Sequence, residues 1–335
     1  MKILLYRKDE KVFAKSGVGR AMKHQEEALK LVGVDYTLDE KDNFDIVHLN
    51  TISLNSYLMA KKARRKGKKV VYHGHSTEED FRNSFLFSNL LAPLFKIWLK
   101  ICYKTGDVIL TPTPYSKHLL ETYNLGRPIV DVSNGIDLQL FARDEAKIGD
   151  FRKFFKLDPN DKVIVSVGHY FERKGLPDFI EVARQFPEYK FIWFGHTPPA
   201  AVTKNIREAI SRKPENVILP GYIDGRIIQG AYQAADIFFF PSNEETEGIV
   251  VLEALAARCQ VVVRDIGVYD SWLEDGKNCY KGKSNQEFEV IIKKITQNEL
   301  PPTIEEGYKT AEERSLARVG KKLAQIYRDL IKTEA

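Results

Sequence analysis

The chain holds 335 residues, 43% of them hydrophobic and 29% charged, which excludes a disordered or fibrous polymer and gives more length than one ordinary core fills, so two domains of roughly 150 residues are expected. The net charge of +5 is carried by the first half: residues 1–150 hold 24 Lys+Arg against 19 Asp+Glu, and residues 151–335 hold 27 of each. Residues 61–104 alone hold 11 basic and 3 acidic residues, a concentration that points to an anionic surface as partner.

In chain order, KILLY reads as a first buried strand. After it comes KSGVGRAMKHQEEAL, where Gly17 and Gly19 precede an amphipathic helix and Arg20 adds a cation. Phosphate binding at that helix start and a simple tight turn both fit. DIVHLN is the next strand, and KKARRKGKK then places seven cations in nine positions. KVVYHG follows and leads into HSTEEDF. At most one of His73 and His75 is expected to reach a cleft, and His75, on the strand-end loop, is the candidate. Further on, Lys96, Lys100 and Lys104 recur at four-residue spacing on one helical face, and Phe87, Leu91, Leu94, Trp98 and Ile101 recur on another. A basic, aromatic, amphipathic helix suits a membrane interface with anionic headgroups; packing on a sheet explains the apolar stripe but not the charge. DVILT and PIVDVS close the first half, and Asn134–Gly135 after them reads as a turn.

A charged helical segment ending at DPND marks a change of domain within residues 138–161. KVIVSVG then ends at Gly168, and Arg173 and Lys174 stand immediately before a helix. Two cations there oppose the helix dipole unless an anion such as a diphosphate offsets them; solvated loop cations are the plain alternative. KFIWFG, NVILPG, DIFFFP and QVVVRD are the remaining strands. DIFFFP runs into PSNEETEGIVVLEALAA, with Glu244, Glu245 and Glu247 ahead of Gly248 and Glu253 in the next helix. Ser242 with Glu245 fits a capping box, and the carboxylates equally fit a ligand grip. Residues 308–333 read as one long helix with no strand after it. Strands alternating with helical segments indicate α/β architecture, two doubly wound parallel sheets covered on both faces, whose ligands bind beyond the carboxyl ends of the strands. Two such domains facing each other would enclose a cleft.

Cys102, Cys259 and Cys279 have neither CxxC nor metal-ligand spacing, so free thiols in a reducing compartment are expected. The initial apolar run is too short for a signal peptide, and FLFSNLLAPLFKIWLKICY is broken by Pro93, Lys96 and Lys100, against a spanning helix. The expected location is the cytoplasmic side of the cell membrane, as a peripheral protein.

The Gly-rich first loop, the strand-end histidine, SNGID, GxxxxRKG, the turn at Gly221–Tyr222 and PSxxExxGxxxxEALA, in that order, resemble the retaining glycosyltransferases of family 4. That resemblance implies the GT-B architecture, two facing Rossmann-like domains with a C-terminal helix crossing back to the first. It divides the chain into an acceptor and membrane-binding domain at 1–145, a nucleotide-sugar domain at 146–307 and the returning helix at 308–335. It implies that Arg173 and Lys174 bind the donor diphosphate with Gly17, Gly168 and Tyr222 nearby, that Glu253 takes the ribose hydroxyls, and that Glu245 holds the donor sugar with the backbone at Gly248 and Ile249. His75 would face the sugar near the reacting carbon, with Arg20, His73 and Asn134 on the acceptor or cleft side. Glu247 departs from the family pattern, which usually has an apolar residue there.

No DxD triplet occurs, so no metal or other cofactor is expected, and the charge on leaving UDP falls to Arg173, Lys174 and a helix N-terminus. A glycosidase reading of the paired carboxylates leaves the phosphate-binding windows without purpose. SGVGRAxKHQExAL, HGHSTEEDFxNSFLFSN and EETEGIVVLEAL look most like the Gram-positive glycolipid synthases that add galactose to α-glucosyl-diacylglycerol. This implies UDP-galactose as donor, an α linkage, and Lys96, Trp98, Lys100 and Lys104 at anionic membrane lipids. UDP-glucose-dependent glucosylation of diacylglycerol is the alternative, as is a polysaccharide-assembly transferase with a non-lipid acceptor. No nucleic-acid-binding module accompanies the basic region.

Overall fold

The computed structural model describes residues 1–14, 16–223 and 225–332, the side chains of Lys11 and Val12 aside; residues 333–335 of the expected C-terminal segment lie outside them. By its contacts the chain divides into two compact units. The first comprises Met1–Phe81, Leu90–Ile136 and the segment from Arg314 onward; the second comprises Arg82–Asn89 and Asp137–Glu313. The divisions at 136/137 and 313/314 stand beside the sequence-based boundaries at 145/146 and 307/308.

The first unit is built on strands β1 (Ile3–Tyr6), β2 (Tyr36–Thr37), β3 (Ile46–Leu49), β4 (Lys69–His73), β5 (Val108–Thr111) and β6 (Ile129–Asp131), all parallel, in the order β2-β1-β3-β4-β5-β6. The second is built on β7 (Val163–Val167), β8 (Lys190–Phe194), β9 (Val217–Gly221), β10 (Ile237–Phe240), β11 (Val261–Arg264) and β12 (Tyr280–Gly282), also parallel, in the order β12-β11-β10-β7-β8-β9. Every strand expected from the sequence is present. The short edge strands β2 and β12 were not expected, because two or three residues carry too little apolar pattern to stand out.

Covering both faces of a parallel sheet requires strands that are apolar throughout, and β1, β3, β5 and β10 are buried at all four positions. Alternation still sorts their contacts. Leu4 and Tyr6 pack with Met59, Leu99 and Tyr103 on one face of the first sheet, and Ile3 and Leu5 pack with Ala28, Leu29, Leu316 and Leu323 on the other. In the second unit Phe179, Phe191, Trp193 and Phe239 join one cluster, each large side chain contributing roughly 1.5–3 kcal/mol by burial.

The segment expected as one long helix is two, Ile304–Glu312 and Leu316–Lys332. The interruption has a clear cause. Ile136 N donates to Arg314 O at 3.0 Å and Leu316 N donates to Ile136 O at 3.1 Å, a parallel bridge that takes these backbone groups out of any helix. Helix Leu316–Lys332 then packs in the first unit against helix Gly17–Leu31, their backbones in near contact: a Cβ on Gly320 would lie 2.2 Å from Ala28 O and 3.0 Å from Val32 Cγ1. Gly320→Ala must push the helices apart. We expect it to destabilise the first unit by about 1–3 kcal/mol in urea denaturation despite the better helix propensity of alanine.

Candidate active site

In the second sheet the chain moves outward from β7 through β8 to β9, then restarts at β10 on the opposite side of β7. The loops leaving β7 and β10 therefore diverge, and an open parallel sheet holds its ligand crevice at such a reversal. These two loops carry the charged residues.

Gly168, at the end of β7, donates its N–H to Phe194 O (2.8 Å), and its carbonyl accepts from Trp193 Nε1 (2.8 Å). Glu172–Lys174 then form one 3-10 turn that ends at Gly175 in the left-handed conformation, φ +78°. A Cβ on Gly175 would lie 2.3 Å from Pro241 O. The glycine of RKG is thus what lets the Arg173–Lys174 turn lie on the loop that leaves β10.

Arg173 is bound on several sides. Its carbonyl accepts from Asn243 N (2.6 Å), Nη1 donates to Glu244 O (3.0 Å), Nε donates to Ser84 Oγ (2.7 Å), and its N–H donates to Asn83 O (3.1 Å). Lys174 Nζ lies 2.5 Å from Glu245 Oε1, and the Ser242 hydroxyl donates to the same oxygen at 2.7 Å. Burial by itself pushes the Glu245 carboxyl up; Lys174, Arg173 and the Ser242 hydroxyl outweigh it and hold the group below the usual carboxylate range. The solvated-cation alternative does not hold for Lys174, whose side chain is 15% exposed.

The capping-box reading is corrected. Helix Ile249–Ala256 starts seven residues after Ser242, at Gly248 with φ +89° and no side-chain cap, so the Ser242 hydroxyl serves Glu245 instead. A Cβ on Gly248 would sit 3.1 Å from the Tyr269 hydroxyl. Ile249 opens the helix, and the first amides of a helix have no acceptor within it, which makes this end a natural anion site. Glu253, on the same helix, is fully buried and accepts from the Tyr232 hydroxyl at 2.6 Å. Glu247 is buried too, and Tyr222 is exposed beyond Gly221 at the end of β9.

In the first unit the two glycines of SGVG differ. Gly17 opens its helix in free space, where an added Cβ would meet nothing within 4 Å, whereas a Cβ on Gly19 would lie 2.2 Å from Phe13 O, so Gly19 is a packing requirement. Arg20 follows, half-buried. His24 Nδ1 lies 2.8 Å from Gly135 O, fixing the turn that contains the buried Asn134.

His73 and His75 do not point to opposite faces. Residues two apart on a strand share a face, and the two rings stack with centroids 4.2 Å apart, while His75 N–H donates to His73 O (3.2 Å) in a tight turn after the strand. His48 lies 5.5 Å from His73, and neither ring nitrogen of His73 has a hydrogen-bond partner among the described residues. Burial pushes His48 and His75 down to about 3 and His73 well below its ordinary value, so all three are neutral at pH 7. Among the described residues no three His, Cys, Asp or Glu side chains gather into a metal-binding set.

Helix Ser88–Tyr103 presents Leu90, Leu94, Ile97 and Ile101 outward, with Phe87 exposed just before it. Trp98 faces inward instead: Nε1 donates to Ile52 O (2.7 Å), and the ring lies 5.7 Å from Tyr57. Lys96 is held by Glu78 at 2.8 Å and sits 4.5 Å over the Tyr123 ring, while Lys100 is half-buried and Lys104 exposed. No helix among the described residues is long and apolar enough to cross a membrane.

Sequence reasoning missed Ser84, Tyr232 and Asn50. Ser84 is 89 residues from the arginine it binds, and a tyrosine inside a helix gives no spacing cue. Asn50, immediately after β3, could have been found by examining every residue that follows a strand.

Two family models match this chain: Glycosyltransferase Family 4 over residues 28–140 and Glycosyl transferases group 1 over residues 147–314. A processive diacylglycerol alpha-glucosyltransferase of Acholeplasma laidlawii is 48% identical over 333 residues, 99% of each chain. An alpha-galactosylglucosyldiacylglycerol synthase of Streptococcus pneumoniae is 24% identical over 87% of this chain and 78% of its own length. Among solved structures, Anabaena HepE in complex with UDP and glucose has a TM-score of 0.78 at 16% identity, covering 98% of this chain and 99% of its own.

Two outcomes follow from the charges. Lys174→Met leaves the Glu245 carboxylate buried without its counter-ion, so urea denaturation at pH 7 should show a loss of about 3–5 kcal/mol, shrinking as falling pH neutralises the acid. The buried rings of His48, His73 and His75 belong to the first unit. The unfolded chain takes up their protons below about pH 6.5 and the native state does not until far lower, so stability should fall on acidification by up to about 1.4 kcal/mol per pH unit for each ring. His73→Phe should reduce that slope in acid denaturation by about a third.

Proposed function

Since this chain belongs to the family 4 glycosyltransferases, we propose that it transfers glucose from UDP-glucose to diacylglycerol with an α linkage, and then to the glucosyl-diacylglycerol so formed. The likeness to the Acholeplasma processive diacylglycerol alpha-glucosyltransferase over the whole chain carries this reading. It favours glucose over galactose, which rests on the Streptococcus relative at 24% identity.

The site residues take roles that their chemistry allows. Arg173 and Lys174, with the first amides of helix Ile249–Ala256, receive the diphosphate and stabilise the charge that develops on leaving UDP, without a metal ion. Gly17 and Gly168 are assigned to the phosphates, and Tyr222 to the nucleotide. Glu253, a carboxylate with two acceptor oxygens, takes ribose hydroxyls. Glu245, kept ionised by Lys174, accepts from hydroxyls of the sugar, and a bound diphosphate competes with it for the lysine. His75 is read as a neutral group that meets the transferred sugar. Arg20, His73 and Asn134 are assigned to the acceptor side.

The exposed row of Leu90, Leu94, Ile97 and Ile101, together with Phe87, supports peripheral attachment to a lipid surface, with Lys61, Lys62, Arg65, Lys66 and Lys104 exposed to meet anionic headgroups. Lys100 joins these cations. Lys96 and Trp98, which have partners within the protein, contribute to the helix's seating rather than to lipid contact.

The test incubates the purified protein with vesicles of diacylglycerol, or of glucosyl-diacylglycerol, in anionic phospholipid, with UDP-glucose or UDP-galactose. Glucosyl- and diglucosyl-diacylglycerol should appear with UDP-glucose, and galactose transfer should be at least about 10-fold slower. Absence of any glycolipid product would remove the reading. In calorimetry Glu253→Ala should weaken UDP-glucose binding by about 10-fold or more. Leu90→Ser/Leu94→Ser should reduce sedimentation with vesicles and leave UDP affinity unchanged.

A further inference from the structure

The residues following β3 and β4 belong to a chain of hydrogen bonds that the roles above do not use. His75 Nε2 lies 2.9 Å from Asn50 Oδ1, and Asn50 Nδ2 donates to Gln25 Oε1 at 2.7 Å. Gln25 Nε2 in turn lies 2.7 and 2.8 Å from the two ring nitrogens of His48, whose Nδ1 is 2.6 Å from the Tyr327 hydroxyl. All five side chains are buried. They come from four places: the end of β3, the turn after β4, helix Gly17–Leu31 and helix Leu316–Lys332.

The direction of these bonds fixes a proton. Because the Asn50 amide nitrogen is spent on Gln25, its oxygen faces His75, and a carbonyl oxygen only accepts. The neutral His75 ring must therefore carry its hydrogen on Nε2, leaving the Nδ1 lone pair as its acceptor. Its position supports a use for that lone pair. The first sheet reverses direction between β1 and β3, and Asn50 stands at the carboxyl end of β3, where ligands of such sheets bind. The titratable groups facing His75 are His73 on β4, His48 on β3 and, through His48, Tyr327; burial alone accounts for its lowered pKa.

We infer that Asn50 is a positioning residue that holds His75 as the Nε2–H tautomer, so that Nδ1 accepts a hydrogen bond from a sugar hydroxyl. The inference rests on the reading of His75 as a sugar-contacting group. Gln25, whose own amide nitrogen is engaged with His48, keeps the Asn50 amide from turning over, since a flip would set the Asn50 carbonyl oxygen against Gln25 Oε1, acceptor to acceptor.

Histidine-15N NMR of the full-length protein, with the His75 signals assigned by their loss in His75→Gln, tests the proton's position directly. The expected spectrum has a protonated Nε2 and an unprotonated Nδ1 for His75 from pH 6 to 8; the opposite pattern overturns the inference. In the vesicle assay Asn50→Ala should lower kcat about 10- to 100-fold with little change in KM for UDP-glucose, and should mix the two tautomers. Asn50→Asp keeps an acceptor but adds a negative charge, which raises the His75 pKa. Its kcat should gain an acid limb that climbs with pH near neutrality, absent from the parent. If His75→Ala retains full kcat, the role of His75 itself falls. If His75→Ala is impaired while Asn50→Ala and Asn50→Asp keep the parental kcat, pH profile and spectrum, only the positioning role of Asn50 falls. Should Asn50→Ala not fold, the parental spectrum and Asn50→Asp decide the matter.

Discussion

The second unit's site depends on one buried ion pair. Glu245 is taken out of water, a position that by itself favours the uncharged acid, and it stays ionised because Lys174 and the Ser242 hydroxyl meet the same oxygen while Arg173 adds its field. The pair can form only if two loops from different strands come together at the backbone. Gly175 permits that approach, with its Cα hydrogen where any side chain would strike Pro241. The sequence RKG is thus one geometric statement: two cations and the residue whose lack of a side chain brings them to the carboxylate.

The first unit solves its polar problem by different means. Its strand-end residues include three imidazoles that carry no charge: the Asn50 and Gln25 amides link His75 to His48, the Tyr327 hydroxyl closes that chain, and His73 stacks on His75. Neutral rings in a buried network keep a defined donor and acceptor pattern across the physiological range, at the expense of stability in acid. The second unit holds charge in readiness for charge; the first holds a fixed arrangement of protons.

Most of the fold was legible because parallel strands buried on both faces appear as uninterrupted runs such as VILT and IFFF. The charged loops were legible because they follow those runs directly. Three features were not. Trp98 counts as an outward aromatic by helical spacing, yet a hydrogen bond to Ile52 O, 46 residues away, turns it inward, and Ile97 takes the outer position. Ser242 and Glu245 match a capping box in spacing, but the chain runs on through Gly248 before the helix begins, so a true interaction between the two residues was read with the wrong purpose. The helical pattern over residues 308–333 hides a break at which Ile136 offers its backbone to Arg314 and Leu316. For Trp98 and for the helix break the deciding partner is distant in sequence, and periodicity carries no information about it.

That last bridge bears on how the protein is made. The first unit's core includes Leu316, Val319, Leu323 and Tyr327, and Gly320 seats their helix on helix Gly17–Leu31. Residues 137–313, which belong to the second unit, must be synthesised before these side chains exist. A nascent chain therefore emerges with the face that Ile3, Leu5 and Val71 share covered only in part, by Ala28 and Leu29, and the later-made unit is free to complete its own sheet first. A prematurely ended chain would leave part of that apolar face exposed for the cell's quality control to find.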